Sequence, residues 1–397
     1  MKNGYKQTEI GFIPEDWNCA TAKYLMRIET GSRNTEHKTD AGKYPFFVRS
    51  QKIEHIDTYH YDCEAVLTAG DGVGTGKVFH HYIGKFDAHQ RVYVMSDFKG
   101  ITGRFFYNYF SENFGNEVSK YTAKSSVDSV RRDMIAEMLI PTPPIPEQER
   151  IAEALSDVDS MISSLEKLIA KKKAVKQGAM QELLIGKKRL PGYAGEWVEK
   201  KIEDFVVRFA TGLNPRQNFK LNNGGTNYYV TIKDFREGKL FLDDACDRID
   251  NVALEKINER SDLKKNDLLF SSIGRIGDAY LITETPKNWN INESVFALRP
   301  NQQIVSPLML YYLLTSEDVK NKLLDSTTGS TLKSIKLGHL KEITCRFPKV
   351  IEEQIAIASI LSDMDNEIEA LEQKLEKTRQ IKQGMMQQLL TGKIRLV

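Results

Sequence analysis

The 397-residue chain has few cysteines, almost no net charge and no long apolar segment. No apolar run approaches the ~20 residues of a membrane span, and the first residues lead into no signal-peptide core, so we expect a cytoplasmic protein. Because the formal charge is only +2, any nucleic-acid surface must be a local patch. The four cysteines lie far apart and form no C-x-x-C pair, which argues against a zinc site and a disulfide framework; they are Cys19, Cys63, Cys246 and Cys345.

The sequence also lacks a phosphate-binding motif. The stretch Gly70–Val78 comes closest to a P-loop, but Asp71 and Val78 occupy the positions that require Gly and Ser or Thr. The dinucleotide pattern G-x-G-x-x-G fails as well. We predict that the stretch connects two strands through a turn whose glycines adopt positive φ. A turn whose backbone lies against a phosphate, with Lys77 and Arg275 in matching surroundings, stays open as the alternative.

Catalytic and metal-binding patterns are missing too. A DNA methyltransferase should carry an acidic or Asn residue followed by Pro-Pro and an aromatic residue, and the nearest match, Thr142–Ile145, departs from this pattern. His80, His81 and His89 have no Cys or acid at ligand spacing, so we expect them to be surface or strand histidines. No spacing supports a Ser/His/Asp or Cys/His arrangement. The sequence therefore predicts no catalytic residue, no metal site and no enzyme.

What the sequence does contain is a long internal repeat. Residues 147–190 recur as residues 353–396 without a gap, and roughly half of the aligned positions are identical. We predict one long helix in each copy, weakened in its interior by Gly178 and by Gly384. Apolar residues alternate in steps of four and three, which is the heptad period of a coiled-coil seam; they are Ile151, Leu155, Val158, Ile162, Leu165 and Ile169, matched by Ile357, Leu361, Met364, Ile368, Leu371 and Leu375.

Charge is distributed in the same direction in both copies of the repeat. Acidic residues gather at the start and basic residues at the end, an arrangement that suits the helix dipole. Parallel helices would set like charges side by side, whereas antiparallel helices would set acid against base. We therefore predict an antiparallel intrachain pair. Gly186 and Gly392 are natural C-terminal stops for the two helices.

The repeat divides the chain into four segments. We predict a first globular domain, a central spacer helix, a second globular domain and a C-terminal spacer helix, at residues 1–146, 147–190, 191–349 and 350–397. Short apolar strands between Gly, Asp and Asn turns, with a short helix at Phe105–Phe110, indicate mixed α and β structure. The predicted fold class is α+β. Two mixed α/β domains are joined by two long helices that form an antiparallel coiled coil, in a pseudo-twofold internal repeat.

The globular parts resemble each other much less than the helices do. They share the tryptophans Trp17 and Trp197 and the Thr-Gly pairs that end at Gly31 and Gly212. Elsewhere the similarity is only one of outline. This contrast fits one shared role for the helices and two divergent roles for the globular domains.

Residues suited to DNA contact are scattered through the loops of both globular parts. Arg, Asn and Gln suit bidentate base readout, and Lys suits phosphate contact. Any single one is more often a solvated surface residue, so their weight rests on occurring in corresponding regions of two domains. The candidates are Arg33, Arg49, Lys77, Gln90, Arg91 and Lys124 in the first domain and Arg216, Lys233, Arg275, Asn292 and Lys333 in the second.

The chain resembles the specificity (S) subunit of type I restriction–modification systems. The resemblance rests on the opening stretch Tyr5–Trp17, on the helix tails Lys176–Leu184 and Lys382–Gly392, and on the repeated order of domain and helix. It covers the whole chain. It implies two target recognition domains, each reading one half of a bipartite, asymmetric DNA site, and helices that set the half-site spacing. Target recognition domains diverge widely within this family, so the resemblance transfers no base contact.

The resemblance also implies partners and cofactors. The expected partners are double-stranded DNA, two modification (methyltransferase) subunits that dock on the helices, and restriction subunits, with no membrane. S-adenosylmethionine, ATP and magnesium are expected on the partner subunits and not on this chain. Two alternatives stay open: a coiled-coil scaffold with no DNA role, and the recognition portion of a system whose endonuclease and methyltransferase are fused. The missing motifs disfavour a third, a stand-alone enzyme.

Overall fold

The computed structural model describes residues 4–122, 129–216, 218–325 and 334–397. They form two compact units, and the division falls inside two long helices, so each unit contains a globular part and a segment of both helices. Unit 1 comprises Met1–Lys167 with Glu372–Val397, and unit 2 comprises Leu168–Leu371. None of the helices in the described part of the chain combines the length and the apolar character that a bilayer span requires.

Unit 1 is built around a six-stranded sheet. Its strands are β1 (Tyr5–Thr8), β2 (Gly11–Pro14), β3 (Asn18–Thr21), β4 (Arg27–Thr30), β5 (Tyr44–Phe47), β6 (Glu54–Ile56), β7 (Tyr61–Ala69), β8 (Phe79–Ala88), β9 (Val92–Ser96) and β10 (Leu139–Thr142). Its helices are α1 (Ala22–Leu25), α2 (Gly103–Thr122), α3 (Arg132–Ala136) and the first part of α4 (Ile145–Leu183). The sheet order is β4-β9-β7-β8-β5-β6, antiparallel except for the β5–β8 pair, and β3 pairs with β10.

Helix α2 packs in the main core of unit 1 through a stripe of aromatic residues. Phe106, Phe110 and Phe114 stack in succession, with ring centroids 5.1 and 4.4 Å apart, and all three are fully buried. Residues four positions apart share one face of a helix, so the stripe turns toward the core. The helix is longer than predicted and ends at Thr122, because Phe114 and Val118 continue its buried face past Phe110.

Unit 2 repeats this plan and adds to it. Its strands are β11 (Trp197–Lys201), β12 (Val206–Thr211), β13 (Asn227–Val230), β14 (Phe235–Arg236), β15 (Lys239–Leu240), β16 (Asp247–Ile249), β17 (Leu268–Ser271), β18 (Ala279–Leu281), β19 (Trp289–Ile291), β20 (Val295–Pro300) and β21 (Thr344–Pro348). Its helices are α5 (Ile202–Phe205), α6 (Asn251–Ser261), α7 (Pro307–Thr315), α8 (Glu317–Asp325), α9 (Leu337–Glu342) and the first part of α10 (Ile351–Leu389). The last part of α4 also belongs to unit 2, and the last part of α10 belongs to unit 1.

The strand order shows the repeat within the globular parts. The sheet β12-β20-β17-β18 of unit 2 corresponds to β4-β9-β7-β8 of unit 1, and the pair β11–β21 corresponds to β3–β10. The sheet β16-β13-β19 corresponds to β6-β5-β8, since β13 pairs antiparallel with β16 and parallel with β19, as β5 does with β6 and β8. Helix α6, which packs against this sheet, has no counterpart between β6 and β7 and is the addition in unit 2. Two repeated domains of mixed strands and helices, together with the long helices, confirm the predicted α+β class.

The shared Thr-Gly pairs mark a close approach of two backbones. A Cβ on Gly31 would overlap the carbonyl group of Ala88, and a Cβ on Gly212 would overlap that of Ile291. Only glycine fits at such a contact. The glycine of the pair is therefore required in both domains for a steric reason.

The long helices α4 and α10 each contain 39 residues, or about 58 Å at 1.5 Å per residue. The interruption expected from the weakening at Gly178 and Gly384 is wrong, because both helices continue through these positions. A glycine inside a helix costs about 1 kcal/mol of backbone entropy, which the packing of the remaining turns offsets. The stops are as predicted, since Gly186 and Gly392 adopt φ of +73° and +68° shortly after the helices end.

Within each unit the segments of α4 and α10 run antiparallel, as the charge pattern predicts. Along the interhelical ion pairs, the residue number on α10 falls as the number on α4 rises. Exposed ion pairs of this kind contribute little to stability, but they fix the direction of pairing. The pairs have N···O distances of 2.5–2.6 Å and are Asp159–Lys382 and Glu166–Arg379 in unit 1, and Lys172–Glu367 and Lys176–Asp365 in unit 2.

A buried glutamate fastens the first turn of each long helix to its unit. Glu147 accepts hydrogen bonds from Trp17 Nε1 at 2.9 Å and from Arg395 Nε at 2.7 Å. Glu353 accepts two bonds from Arg189, at 2.8 and 2.9 Å. The side chains of Glu147 and Glu353 are only 1% and 0% exposed. A buried carboxylate is strongly unfavourable unless it is paired, so each helix start depends on its arginine.

The glutamine that follows each of these glutamates completes the attachment. Gln148 Oε1 accepts the amide of Thr102 at 2.8 Å, and Gln354 Oε1 accepts the amide of Ser306 at 2.9 Å. Each side-chain amide also donates to two backbone carbonyls of the same unit. The repeated Glu-Gln pair therefore joins helix to globular domain through directional bonds.

We expect Glu147→Ala to lower the free energy of unfolding by ~3 kcal/mol at pH 7, because Arg395 and Trp17 lose a buried partner. Urea denaturation of the variant and the parent chain measures this difference. The control is Glu149→Ala, which removes an exposed carboxylate two residues away. It should change the free energy of unfolding by less than about 0.5 kcal/mol. Equal losses in the two variants would contradict the anchoring role.

The same variant should remove a pH dependence. Burial alone would raise the pKa of Glu147, but the bonds from Arg395 and Trp17 outweigh it and leave this pKa below its usual value. Such a group stabilises the fold at pH values above its pKa in the unfolded chain, about 4.3. This contribution is lost as pH falls through the lower pKa of the folded state. The stability gap between parent and Glu147→Ala should therefore narrow below about pH 4.

Candidate nucleic-acid interface

The Gly-rich stretch of unit 1 is a turn between β7 and β8, as predicted. Gly72 and Gly76 adopt φ of +75° and +66°. Gly74 lets the turn approach the segment after β5, since a Cβ there would lie 2.6 Å from the carbonyl oxygen of Arg49. Lys77 follows the turn and is exposed. The turn therefore brings Arg49 and Lys77 to one edge of the sheet.

Asp71, at the start of this turn, holds two of the predicted arginines. Its Oδ1 lies 2.9 Å from Arg49 NH1, and its Oδ2 lies 3.7 Å from Arg91 Nε. Both guanidinium groups remain accessible, with side chains 47% and 64% exposed. Two arginines on one carboxylate leave a net positive charge at this edge, which is the electrostatic requirement for phosphate contact.

Arg33 reaches the same edge but has a different environment. Its Nε lies 3.0 Å from Asp87 Oδ2, and the Asp87 side chain is fully buried. The carbonyl oxygen of Arg33 accepts the amide of Gln90 at 2.8 Å. Arg33 is therefore a structural partner of Asp87 as well as a candidate for DNA contact, whereas Gln90 and Arg91 lie together on the loop before β9.

His89 shapes that loop through a hydrogen bond of its imidazole ring. Burial, reinforced by the charge of Arg49, lowers the pKa of His89, so its ring is neutral at pH 7. The Nδ1 atom then accepts the backbone amide of Arg91 at 3.0 Å. Among the described residues, no group of three or more His, Cys, Asp and Glu is placed to hold a metal ion.

Unit 2 brings its own candidates together around the loop after β13. Arg275 NH2 donates to the carbonyl oxygens of Ile232 and Phe235 at 2.5 and 3.1 Å. The adjacent Lys233 pairs with an aspartate at 3.4 Å, and the amide of Asn292 donates to the end of β13. Arg275 Nε also lies 2.9 Å from Asp278 Oδ2. Unit 2 therefore holds one arginine with an aspartate and two backbone carbonyls, whereas Asp71 of unit 1 holds two arginines.

Three candidates stand apart from these groups. Arg216 is exposed on the turn that follows β12. Lys124 and Lys333 lie outside the residues that the structure describes. The DNA-contact role of all eleven candidates stays a prediction.

Sequence reasoning missed the acidic residues that organise the arginines. Asp71 was visible only as a departure from the P-loop pattern, and Asp87 lies in a strand without any motif. Their partners are 22 and 54 residues away along the chain. No local spacing rule reports such a pairing, because the fold creates it.

The chain is similar to one protein family over most of its length. Residues 14–177 and 194–380 each match the family described as type I restriction modification DNA specificity domain. The chain is 25% identical to a putative type I restriction enzyme MjaX specificity subunit of Methanocaldococcus jannaschii, over 100% of this chain and 97% of the relative. It is 24% identical to the MjaVIII specificity subunit of the same organism, over 97% of this chain and 94% of the relative.

Solved structures show the same fold. A crystal structure of a type I restriction–modification system S subunit from M. genitalium aligns with a TM-score of 0.64 at 17% identity, covering 98% of this chain and 99% of that chain. A chain from a structural study of complex assembly and conformational transition in a type I system aligns with a TM-score of 0.55 at 14% identity, covering 96% and 99%.

The environments of Arg33 and Arg91 predict different effects on stability. Arg33→Ala leaves the buried Asp87 carboxylate without its cation and should cost about 2 kcal/mol or more. Arg91→Ala removes an exposed and longer ion pair and should cost less than about 0.5 kcal/mol. Urea denaturation of both variants tests this. If Arg91→Ala were the more destabilising substitution, the distinction between structural and exposed arginine would be wrong.

Proposed function

Because the chain belongs to the type I restriction–modification DNA specificity family, we propose that it is the DNA-recognition subunit of such a system. Each globular domain reads one half of a bipartite, asymmetric DNA site. The observation that carries this proposal is the double family match, in which each copy comprises one globular domain and most of the helix that follows it.

Differences between the units support two separate readings of DNA. Unit 1 holds Arg49 and Arg91 on the single carboxylate of Asp71, whereas unit 2 holds Arg275 with Asp278 and two backbone carbonyls and adds helix α6. Base readout depends on the placement of individual donors and acceptors in a groove. Two domains with differently oriented cations are suited to two different half-sites.

The helices set the spacing of the half-sites and dock two modification subunits in this proposal. Their repeated sequence supports a duplicated docking surface. Val175 and Ile381 occupy equivalent positions of the repeat and are 50% and 48% exposed. An apolar residue exposed at the same place in both copies is what two equivalent contacts with a partner require.

We further propose that the chain is not itself an enzyme and works in the cytoplasm. S-adenosylmethionine, ATP and magnesium belong to the modification and restriction subunits that join it. The missing cofactor and catalytic motifs of the sequence support this division of labour.

Exchanging one globular domain should change one half-site only. We expect replacement of residues 1–146 by the matching domain of another family member to alter one half of the recognised sequence. The incoming domain must supply the tryptophan that bonds to Glu147. Methylation mapping in cells that carry the complete system is the measurement. The matched control replaces residues 191–349 and should alter the other half; a change in both halves by either exchange would contradict the modular proposal.

Shortening both helices should shorten the unread spacer of the DNA site. Deleting residues 167–170 and 373–376 removes one turn, about 6 Å, from each helix and leaves the four interhelical ion pairs intact. The preferred spacer should decrease by roughly two base pairs at 3.4 Å each. Alanine substitution of the same residues, without deletion, is the control. An unchanged spacer after the deletion would rule out the helices as its determinant.

A further inference from the structure

The two units can be compared position by position. Thr102 immediately precedes α2 and donates its backbone amide to Gln148 Oε1, as Ser306, immediately before α7, donates to Gln354 Oε1. Counting from these residues, Asn108 of α2 corresponds to Tyr312 of α7. On the long helices, each residue of α4 is equivalent to the residue of α10 whose number is 206 higher. The following contacts compare these equivalent positions, each within its own unit.

In unit 2, Tyr312 fills a space between α7 and α10. The residue is only 2% exposed, and its hydroxyl group donates to Asp365 Oδ2 at 2.8 Å. Lys176 Nζ lies 5.6 Å from the centre of the ring and 2.5 Å from Asp365 Oδ1. A carboxylate for the hydroxyl and an ammonium for the ring face together make a binding site for a phenol.

Unit 1 keeps these groups without the tyrosine. Asp159 is the equivalent of Asp365, and Lys382 Nζ lies 2.6 Å from its Oδ1, as Lys176 lies beside Asp365. At the position of the ring, unit 1 has the shorter Asn108. A cavity of about 270 Å³ lies there. Cavities of roughly 150 Å³ can hold a benzene ring, so the space suffices for a phenol.

The lining of this cavity is suited to a group that arrives from outside. The leucines of unit 2 at positions 281 and 308 are replaced in unit 1 by His81 and Arg104. His81 Nε2 lies 2.8 Å from Glu64 Oε1, which fixes the ring, and Arg104 is exposed at the surface. A guanidinium group stacks readily on an aromatic ring. A polar entrance leading to Asp159 and Ser156 would accept an amphipathic ring with a hydroxyl group.

The surroundings of the cavity indicate where such a ring comes from. Asp159 lies on α4, and Lys382 lies on α10 next to Ile381, which is 48% exposed. The cavity therefore lies beside both long helices, which the proposed function assigns to docking of the modification subunits. A pocket next to such a surface is where an anchor residue of a partner binds.

We propose that this cavity of unit 1 receives a tyrosine side chain of the modification subunit. Its hydroxyl group donates to Asp159 as that of Tyr312 donates to Asp365 within the chain. The inference rests on the proposed function, which supplies the partner. Because unit 2 fills the equivalent space itself, only one of the two modification subunits is anchored in this way.

The test is Asn108→Tyr, which fills the cavity with the chain's own phenol. We expect the variant to stay folded with an unchanged or higher melting temperature, since the new hydroxyl group can bond to Asp159. Its affinity for purified modification subunit should fall at least about tenfold at one of the two sites, as for loss of an anchor residue. Isothermal titration of the full chain with modification subunit measures both the affinity and the stoichiometry.

Two further measurements keep the test decisive. Tyr312→Phe removes the hydroxyl group in unit 2 without opening a cavity and should leave assembly unchanged. With the parent chain, p-cresol should compete with one modification subunit, and toluene, which lacks the hydroxyl group, should compete more weakly. This competition decides the matter if Asn108→Tyr fails to fold.

The outcomes separate this inference from the proposed function. If the parent chain binds modification subunit and Asn108→Tyr binds it equally well, the tyrosine anchor is wrong and the proposed function stands. Binding of p-cresol with unchanged assembly of Asn108→Tyr would make the cavity a small-molecule site and also overturn the proposal. If the parent chain binds no modification subunit, the proposed function falls, and the inference falls with it.

Discussion

The organisation of the chain depends on two buried carboxylates, Glu147 and Glu353. Each begins a long helix inside a globular unit, and each is stable there only because an arginine from the tail of the other copy of the repeat reaches it. The tail that carries Arg395 also contacts the globular part, since Tyr5 donates its hydroxyl group to the carbonyl oxygen of Gly392 at 3.0 Å. Each unit is thus assembled from segments distant in sequence, and the pairing requirement of one carboxylate decides which segments they are.

This requirement explains why the two copies of the helix are much more alike in sequence than the two globular domains. The Glu-Gln pair, the left-handed glycine of the tail and the arginine after it all serve bonds that depend on direction and exact chemical type. A sheet core asks only for apolar side chains of suitable volume, and many sequences satisfy it. Residues that are identical in the two copies are therefore found at the attachment points. The loops that carry Arg49 or Arg275 are under no such constraint and are able to diverge.

The same reasoning separates what the sequence could predict from what it could not. The antiparallel direction followed from the charge gradient, and the turn at Gly72 followed from glycine spacing, because both signals are local. The continuity of the helices through Gly178 was misjudged, since an intrinsic propensity of about 1 kcal/mol is small beside the packing of a long helix. The pairing of Asp71 with two arginines was invisible, because only the folded sheet edge brings those loops together.

Internal duplication also has a consequence for assembly. Two copies of one helix offer a partner two similar surfaces, yet a recognition protein for an asymmetric site must not be equivalent at its two ends. The difference between Asn108 and Tyr312 provides such an inequality in the core beside the helices, where the ion pairs Asp159–Lys382 and Lys176–Asp365 are otherwise alike. A single side chain on a helix of the globular domain can therefore make two similar docking surfaces chemically distinct. The two units attach their helices through the same Glu-Gln pair, but only unit 1 has the cavity beside Asn108.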